Sequence, residues 1–575
     1  MNKDLIELFN KGIEGKTQRI LAKETGFSLG KINKLLSTAE VEGFVVESNI
    51  NKDKTKDFKT TNAIILAAGY GLRMLPINRE IPKALLNVKG ETLIERLIKQ
   101  LQEKEIRDIA IVVGFQKEKF EYLIDKYNIK LVVNADYAIS NNSLSLYLAK
   151  EQINGTYIVP GDLYFFKNPF NYYEYDSWYM LSTNTDGKGY YSVNKKGCLV
   201  KGDKQRHNAV GVSYISKKDS KELIDNLENV IDGYQQAFWE EAFFAKKNMN
   251  IHAKFIEEDL YKEINTYENL REIDINSEHL KNDSIKCIMD VFGVKNNEIK
   301  NISMLKKGMT NRSFIFSIDN NKYIMRVPGE GTEKLINREE EYKVYQQVNP
   351  LNICDELVYM NPKTGVKITK YYENAHNCNP EDKKEVKNCI EFLKKIHNSK
   401  IKVDFIFDIF NQIDYYEKLR GPESLYCDYN EVKKSVLKLK DFIEKNKGQY
   451  CLCHIDSVYD NFLIGENGIK LIDWEYSAMQ DPHVDIAMFA IYAGYDKVDI
   501  DELIQMYFGK DCKETDRLLV YSYVSVCGLL WSNWCEYKHS LGLEFKEYSI
   551  MQYRYGKTYA KIVHRYLGAN YIRVK

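Results

Sequence analysis

Proline is scarce in this chain, only 10 residues in 575, and no stretch is rich enough in it to form an extended spacer. Net charge is absent too: Lys+Arg and Asp+Glu both number 82, so no global basic field favours nucleic acid. A leader-type apolar run is missing from the start, "MNKDLIELFNKGIEGK", which carries acids where a signal peptide needs hydrophobic residues. The longest apolar stretch, "LLVYSYVSVCGLLW" at 518–531, is short for a bilayer and interrupted by hydroxyls, so no membrane segment is expected. Paired C-x-x-C spacings are lacking. Cys451 and Cys453 form a lone C-x-C among 11 scattered cysteines, which points to reduced thiols, not zinc or disulfides, and to a cytoplasmic setting.

What is present is a soluble, multidomain composition, 44% hydrophobic and 29% charged, too long for one core. Residues 1–48 read as short helices and a possible wing, "FVVES". Residues 49–62, "NINKDKTKDFKTTN", have no apolar periodicity and read as a linker. From Ala63 to about 275 the pattern is β-α alternation, with all-apolar strands "AIILAAG" and "IAIVVGF" around the helical "ETLIERLIKQLQEKEI". A third segment, 282–575, starts with strands, including "SFIFSIDNNKYIMRV" as a hairpin with an Asn-Asn turn, and continues into long helices. The expected class is therefore multidomain α/β and α+β.

Two motifs carry chemistry. "LAAGYGLRM" puts Ala67, Ala68, Gly69 and Gly71 directly after a buried strand, where backbone N–H groups can approach an anion closely. Arg73 adds a forked cation and Lys83, in "PK", a second positive charge. Far downstream, "HIDSVYDNFLIGENGIKLIDWEY" has the pattern H-x-D-x-x-x-x-N followed by an aspartate on an apolar run. Asp456 there is placed to take a hydroxyl proton, and Asn461 and Asp473 to hold magnesium on nucleotide phosphates. Upstream, Gly308 and Thr310 form a small-residue turn suited to covering phosphates. Arg326 occupies the position of a kinase strand lysine, with Glu341, or alternatively Glu339, as its ion-pair partner.

Residues 63–275 resemble the sugar-nucleotide and CDP-choline type nucleotidyltransferases, through "IPKALLNVKGETLIERLI", "NNSLSLYLA" and "YIVPGDLYF". The resemblance implies a Rossmann-like domain in which the glycine loop, Arg73 and Lys83 hold CTP and Asp162 binds Mg2+. A phosphomonoester then attacks the α-phosphorus and pyrophosphate leaves. It further implies that Trp178 stacks on a choline cation with Glu240 and Glu263 beside it. Asn265 stands where many relatives have an aspartate as second metal ligand, and an amide oxygen brings no charge.

Residues 282–575 resemble the bacterial choline kinases and aminoglycoside phosphotransferases, through "MTNRSF", "RVPGEGTEKLINREEE", "HIDSVYDNFL" and "IDWEYS". This implies a protein-kinase-like bilobal domain using ATP, with Trp531 and Trp534 lining a trimethylammonium pocket and Asp485 bracing the catalytic loop. Together the resemblances imply a bifunctional enzyme that makes phosphocholine from choline and then CDP-choline. The alternatives are the same chemistries on ethanolamine, another amino alcohol or a sugar, or a regulator with metabolite-sensing domains. The first 48 residues resemble a winged helix-turn-helix, with Gly26 in the turn, Ser28 as cap, and Lys31 and Lys34 facing DNA phosphates. A helical interaction module is the alternative.

Overall fold

The computed structural model describes the chain except residues 70–80, 138–139, 186–188, 202–205, 234–236, 246–248, 306–310, 330–331, 467, 542, 544 and 574–575, and the side chains of 312 and 569–573. Gly71, Arg73, Gly308 and Thr310 therefore lie outside the described residues. Two compact units emerge, Met1–Met304 and Leu305–Lys575, dividing later than the expected start near Asn282.

The first unit opens with helices Lys3–Asn10, Gln18–Thr25 and Leu29–Val41 and a small hairpin, Val45–Val46 with Asn49–Ile50. Gly26 ends the second helix at φ 72°, and Ser28 Oγ caps the third by accepting from Lys31 N. Leu5, Leu8, Phe9, Leu21, Ile32 and Val45 form a separate small core. The expected linker holds ordered structure: Asn49–Ile50 is the hairpin's return strand, Lys52–Thr55 is a short helix, and Asn62 already begins a sheet strand. Polar composition concealed this because the contacts are backbone ones, Thr60 N to Tyr172 O and Asn51 N to Phe44 O. Asn10 exchanges two hydrogen bonds with the Tyr173 backbone, tying the helices to the sheet domain.

That domain is a seven-stranded mixed sheet in the order His252–Ile256, Trp178–Ser182, Ala209–Ile215, Thr156–Pro160, Asn62–Ala67, Asp108–Val113, Lys130–Val133. Only Ala209–Ile215 runs antiparallel to its neighbours. Helix Leu93–Gln102, capped by Thr92, buries Leu93, Ile94, Leu97, Ile98 and Leu101 on one stripe, as its spacing demands. Gly161 permits a close approach after Thr156–Pro160: a Cβ there would stand 3.1 Å from Ala67 Cβ and Leu66 O.

In the second unit, Asn311–Ile318 and Asn321–Pro328 form the hairpin. Its loop is Asp319-Asn320, one residue earlier than the Asn-Asn turn expected. Both residues have positive φ (48° and 69°), as a two-residue hairpin turn requires. Strands Lys367–Lys370 and Leu357–Met360 extend the sheet. Helices dominate thereafter. Glu514–Ser540 runs 27 residues, longer than the apolar stretch seen in sequence. It is long and apolar enough to cross a membrane, yet its apolar window is wholly buried within the fold. It packs on Glu547–Arg573 at a glycine contact, where a Cβ on Gly528 would meet Gln552 O at 2.6 Å and Gly556 N at 2.7 Å. Both are backbone atoms and cannot swing away. Gly528→Ala is therefore expected to destabilise the second unit by about 1–3 kcal/mol, read in a urea melt of tryptophan fluorescence. Gly556→Ala, with nearest contacts of 3.2 Å or more, should do less; equal melts would refute the close-approach reading.

Candidate active sites

In the first unit Lys83 lies in a short turn, Lys83–Leu85, just after Pro82. Its Nζ is 2.5 Å from Asp162 Oδ2 and 2.5 Å from Asn265 Oδ1. Asp162 and Asn265 meet because strand Tyr261–Glu263 pairs antiparallel with Leu163–Phe165, and Ile264 N donates to Asp162 O. Asp162 Oδ1 is buried with no hydrogen-bond partner. One orphaned anionic oxygen and one amide oxygen on the same ammonium fit a hard divalent cation, which prefers oxygen donors. Gly69 follows the strand Asn62–Ala67 at the same sheet end, and Ala68 is buried beside it.

The neighbouring aromatic residues correct one expectation. Trp178 is only 6% exposed, and its Nε1 donates to Glu174 Oε2 at 2.9 Å. The Lys254 ammonium already lies 3.9 Å from the ring centroid. Trp178 thus packs in the core with a cation of the chain itself over its ring, where the resemblance had placed a choline cation. Glu240 is buried: Tyr179 OH donates to Oε1 at 3.0 Å, while Oε2 has no partner. Burial pushes its carboxyl up to about 7. Tyr179 packs edge-on against Tyr191 and Phe243, both at 5.7 Å, and Tyr191 stacks on Phe244 at 5.8 Å. Glu263 is exposed on the strand leading to Asn265. Two exposed rings that sequence reasoning did not single out are Phe238, two residues before Glu240 and 59% exposed, and Tyr190, 77% exposed and next in sequence to Tyr191. The only signal for them was aromatic residues next to motif positions.

In the second unit the catalytic-type loop follows strand Cys451–Cys453 and is pinned by Asp485. The two oxygens of Asp485 accept from His454 N (2.8 Å) and Ile455 N (2.7 Å). Ile455 has φ 68°, a strained state for a β-branched residue that such doubled bonding holds in place. Asn461 Nδ2 donates to Asp456 O at 2.8 Å, bringing base and amide together. Burial, then the charges of Asp473 and Glu475, push the Asp456 carboxyl up to about 8. Arg326 grips Glu341 with two bonds, 2.6 and 2.9 Å, and also reaches Asp473 at 3.2 Å. Glu341, not exposed Glu339, is therefore its partner. Burial alone would raise Glu341, but Arg326, Lys367 and Arg338 bring it down to about 2.

Two members of this network escaped the sequence reading. Arg338 bonds Glu341 at 2.8 Å and Glu475 at 2.9 Å. Carboxylate oxygens of Glu341, Asp473 and Glu475 lie within 4.8 Å of one another, an oxygen-rich cluster suited to a hard cation at Asp473. Their signals were faint: an arginine three residues before Glu341 and a glutamate two after Asp473. Trp531 and Trp534 are both buried, edge to face at 5.7 Å, and Tyr476 meets Trp531 at 5.5 Å and 89°. The charge of Asp456 is felt by Tyr476 and Tyr416, behind burial as the main cause of their raised phenols, so this aromatic cluster adjoins the base.

Comparison with known proteins agrees with this division. Residues 63–173 match the MobA-like NTP transferase domain, and residues 302–525 match choline/ethanolamine kinase. A choline-phosphate cytidylyltransferase of Streptococcus pneumoniae is 36% identical over 234 residues, covering 39% of this chain and 90% of that protein. The chain belongs to the choline-phosphate cytidylyltransferase family. Protein LicA of Haemophilus influenzae is 27% identical over 259 residues, 42% of this chain and 95% of that protein. A crystal structure of choline kinase LicA from Streptococcus pneumoniae aligns at 26% identity and TM-score 0.45, covering 49% of this chain and 99% of that one. The chain thus carries, in the same polypeptide, a cytidylyltransferase domain and a domain matching choline/ethanolamine kinase, and it is a transferase with both kinds of activity.

Glu240 supplies a pH test. Its folded pKa lies above the ordinary 4.5, so its contribution to stability is full below about pH 4.5 and is lost as pH rises through about 7. Relative to Glu240→Gln, the natural chain is expected to lose up to about 3 kcal/mol between about pH 4 and pH 8, measured by urea melts at both ends. Parallel pH curves for the two proteins would contradict the buried-carboxyl assignment.

Proposed function

We propose that the chain makes CDP-choline in two steps: choline and ATP give phosphocholine, and phosphocholine and CTP give CDP-choline and pyrophosphate. The observation that carries this reading is the coexistence of the Asp456–Asn461–Asp473 loop and the Lys83–Asp162–Asn265 cluster in one chain. In the first step Asp456 accepts the proton of the choline hydroxyl as it attacks the γ-phosphorus, with ADP leaving. Arg326, held by Glu341, steadies the ATP phosphates, a role that the sequence also suggests for Gly308 and Thr310. The Trp531–Trp534–Tyr476 cluster offers aromatic faces to the methylated ammonium.

In the second step Lys83, Arg73 and the backbone at Ala67, Ala68, Gly69 and Gly71 bind the CTP triphosphate and neutralise the departing pyrophosphate. The phosphate oxygen of phosphocholine attacks the α-phosphorus in line, and Glu240 and Glu263 receive the ammonium end with the exposed rings of Phe238 and Tyr190. Asp162 and Asn265 in one site and Asn461 and Asp473 in the other would hold Mg2+, which would supply Lewis-acid stabilisation of phosphate charge. Eleven cysteines scattered without a paired C-x-x-C spacing support a reducing cytoplasmic setting.

We read residues 1–48 as a winged helix-turn-helix on its three helices and hairpin. Lys31 favours the interaction-module alternative over DNA: it pairs with Asp4 at 3.0 Å and lies 3.6 Å from the Phe27 ring centroid. A mobility shift that weakens with salt would favour DNA instead.

Asp456→Ala is expected to lower choline phosphorylation by about 10²–10⁴-fold while leaving CTP-dependent turnover of supplied phosphocholine intact. Asp162→Ala should give the opposite pattern. Loss of both activities in either variant would overturn the assignment of one chemistry to each centre. Trp531→Ala should weaken choline more than ethanolamine, because a primary ammonium relies on carboxylates; equal losses would favour the ethanolamine reading.

A further inference from the structure

Behind the catalytic loop of the second unit lies a His-Cys-Cys cluster that the phosphoryl chemistry does not use. Cys451 and Cys453 sit two apart on strand Cys451–Cys453, so their side chains share one face. Their sulfurs are 3.7 Å apart. Two thiolates on a tetrahedral zinc, each at about 2.3 Å, stand about 3.8 Å apart, so this edge of a site is already formed. A ring nitrogen of His397, from helix Lys383–His397, joins them, with all three ligand atoms within 4.8 Å of one another.

The hydrogen bonds of His397 decide which nitrogen is available. Nε2 lies 2.9 Å from Asp485 Oδ2, a carboxylate that only accepts, so Nε2 carries the proton. Nδ1 therefore presents its lone pair to the Tyr507 hydroxyl, 2.7 Å away. The charges of Cys451, Cys453 and Asp485 all bear on that same phenol, behind burial, so the thiols, the imidazole and the carboxylate share one neighbourhood. A metal-bound imidazole whose other N–H donates to a carboxylate is the usual arrangement around a bound ion. Here the carboxylate is Asp485, which also holds the catalytic-loop amides of His454 and Ile455.

We propose that Cys451, Cys453 and His397 bind one thiophilic d10 cation, such as Zn2+ or Cd2+, and that its binding slows the kinase step through Asp485. On binding, the two thiols release their protons to solvent and His397 Nδ1 gives its lone pair to the ion, displacing the Tyr507 hydroxyl. Cys451 is partly exposed and offers the entry point, while Cys453 and His397 are buried. Binding is independent of the proposed function; the effect on phosphoryl transfer rests on it.

The test is a Cd2+ titration of the full chain in excess Mg2+, following the ultraviolet thiolate-to-metal charge-transfer band. One equivalent should saturate it, and Cys451→Ser and Cys453→Ser should each weaken binding at least ~10-fold, while Cys527→Ser leaves it unchanged. No band in the natural chain, or an undiminished band in the Cys451→Ser/Cys453→Ser double variant, overturns the site. In parallel, one equivalent of Zn2+ should slow ATP-dependent choline phosphorylation several-fold in the natural chain and not in Cys451→Ser, with cytidylyl transfer unchanged in both. A kinase step indifferent to Zn2+ while the Cd2+ band forms overturns the coupling through Asp485. Should the chain phosphorylate no choline at all, the kinase reading fails and the Cd2+ result still stands by itself.

Discussion

Carboxylates held close to protein cations, with oxygens left over, are the constraint on which both centres depend. In the second unit, Asp456, Asp473, Glu475 and Glu341 crowd one region, four carboxyls facing the three cations Arg326, Arg338 and Lys367. Burial first, and then the repulsion of Asp473 and Glu475, push the Asp456 carboxyl up to about 8. In the first unit a single ammonium, Lys83, is shared by Asp162 and Asn265, and one oxygen of Asp162 is left unbonded. Burying such charge unpaired is strongly unfavourable. In the function proposed above, divalent cations bearing nucleotide phosphates would answer the oxygens left over.

The scaffolds exist to hold these charges at close range. Gly161 lets the chain turn tightly against Leu66 and Ala67, so that Asp162 emerges where Lys83 and Asn265 reach it. Asp485 grips two successive amides and keeps Ile455 in a left-handed conformation, which sets the direction of Asp456. The two long helices, interlocked at Gly528 and Gly556, carry Trp531 and Trp534 at a fixed distance from the loop.

Local signals read well and long-range ones did not. The spacing H-x-D-x-x-x-x-N and the Pro-Lys and Pro-Gly-Asp steps placed Asp456, Asn461, Lys83 and Asp162, because each is set within a few residues of its own strand end. Arg338 and Glu475 were invisible since their bond joins positions far apart in the chain. Trp178 misled: indoles stack on cations or fill cores equally well, and only the position of Lys254 over its ring shows which use applies. The hairpin strand Asn49–Ile50 hid in a polar run because its contacts are backbone bonds, which composition does not record.

Two successive reactions in one polypeptide make a single measurement decisive. Purified chain with Mg2+, choline, ATP and CTP, followed by mass detection of products, is expected to give CDP-choline, and phosphocholine alone when CTP is withheld. Choline recovered unchanged while another alcohol is converted would contradict the account.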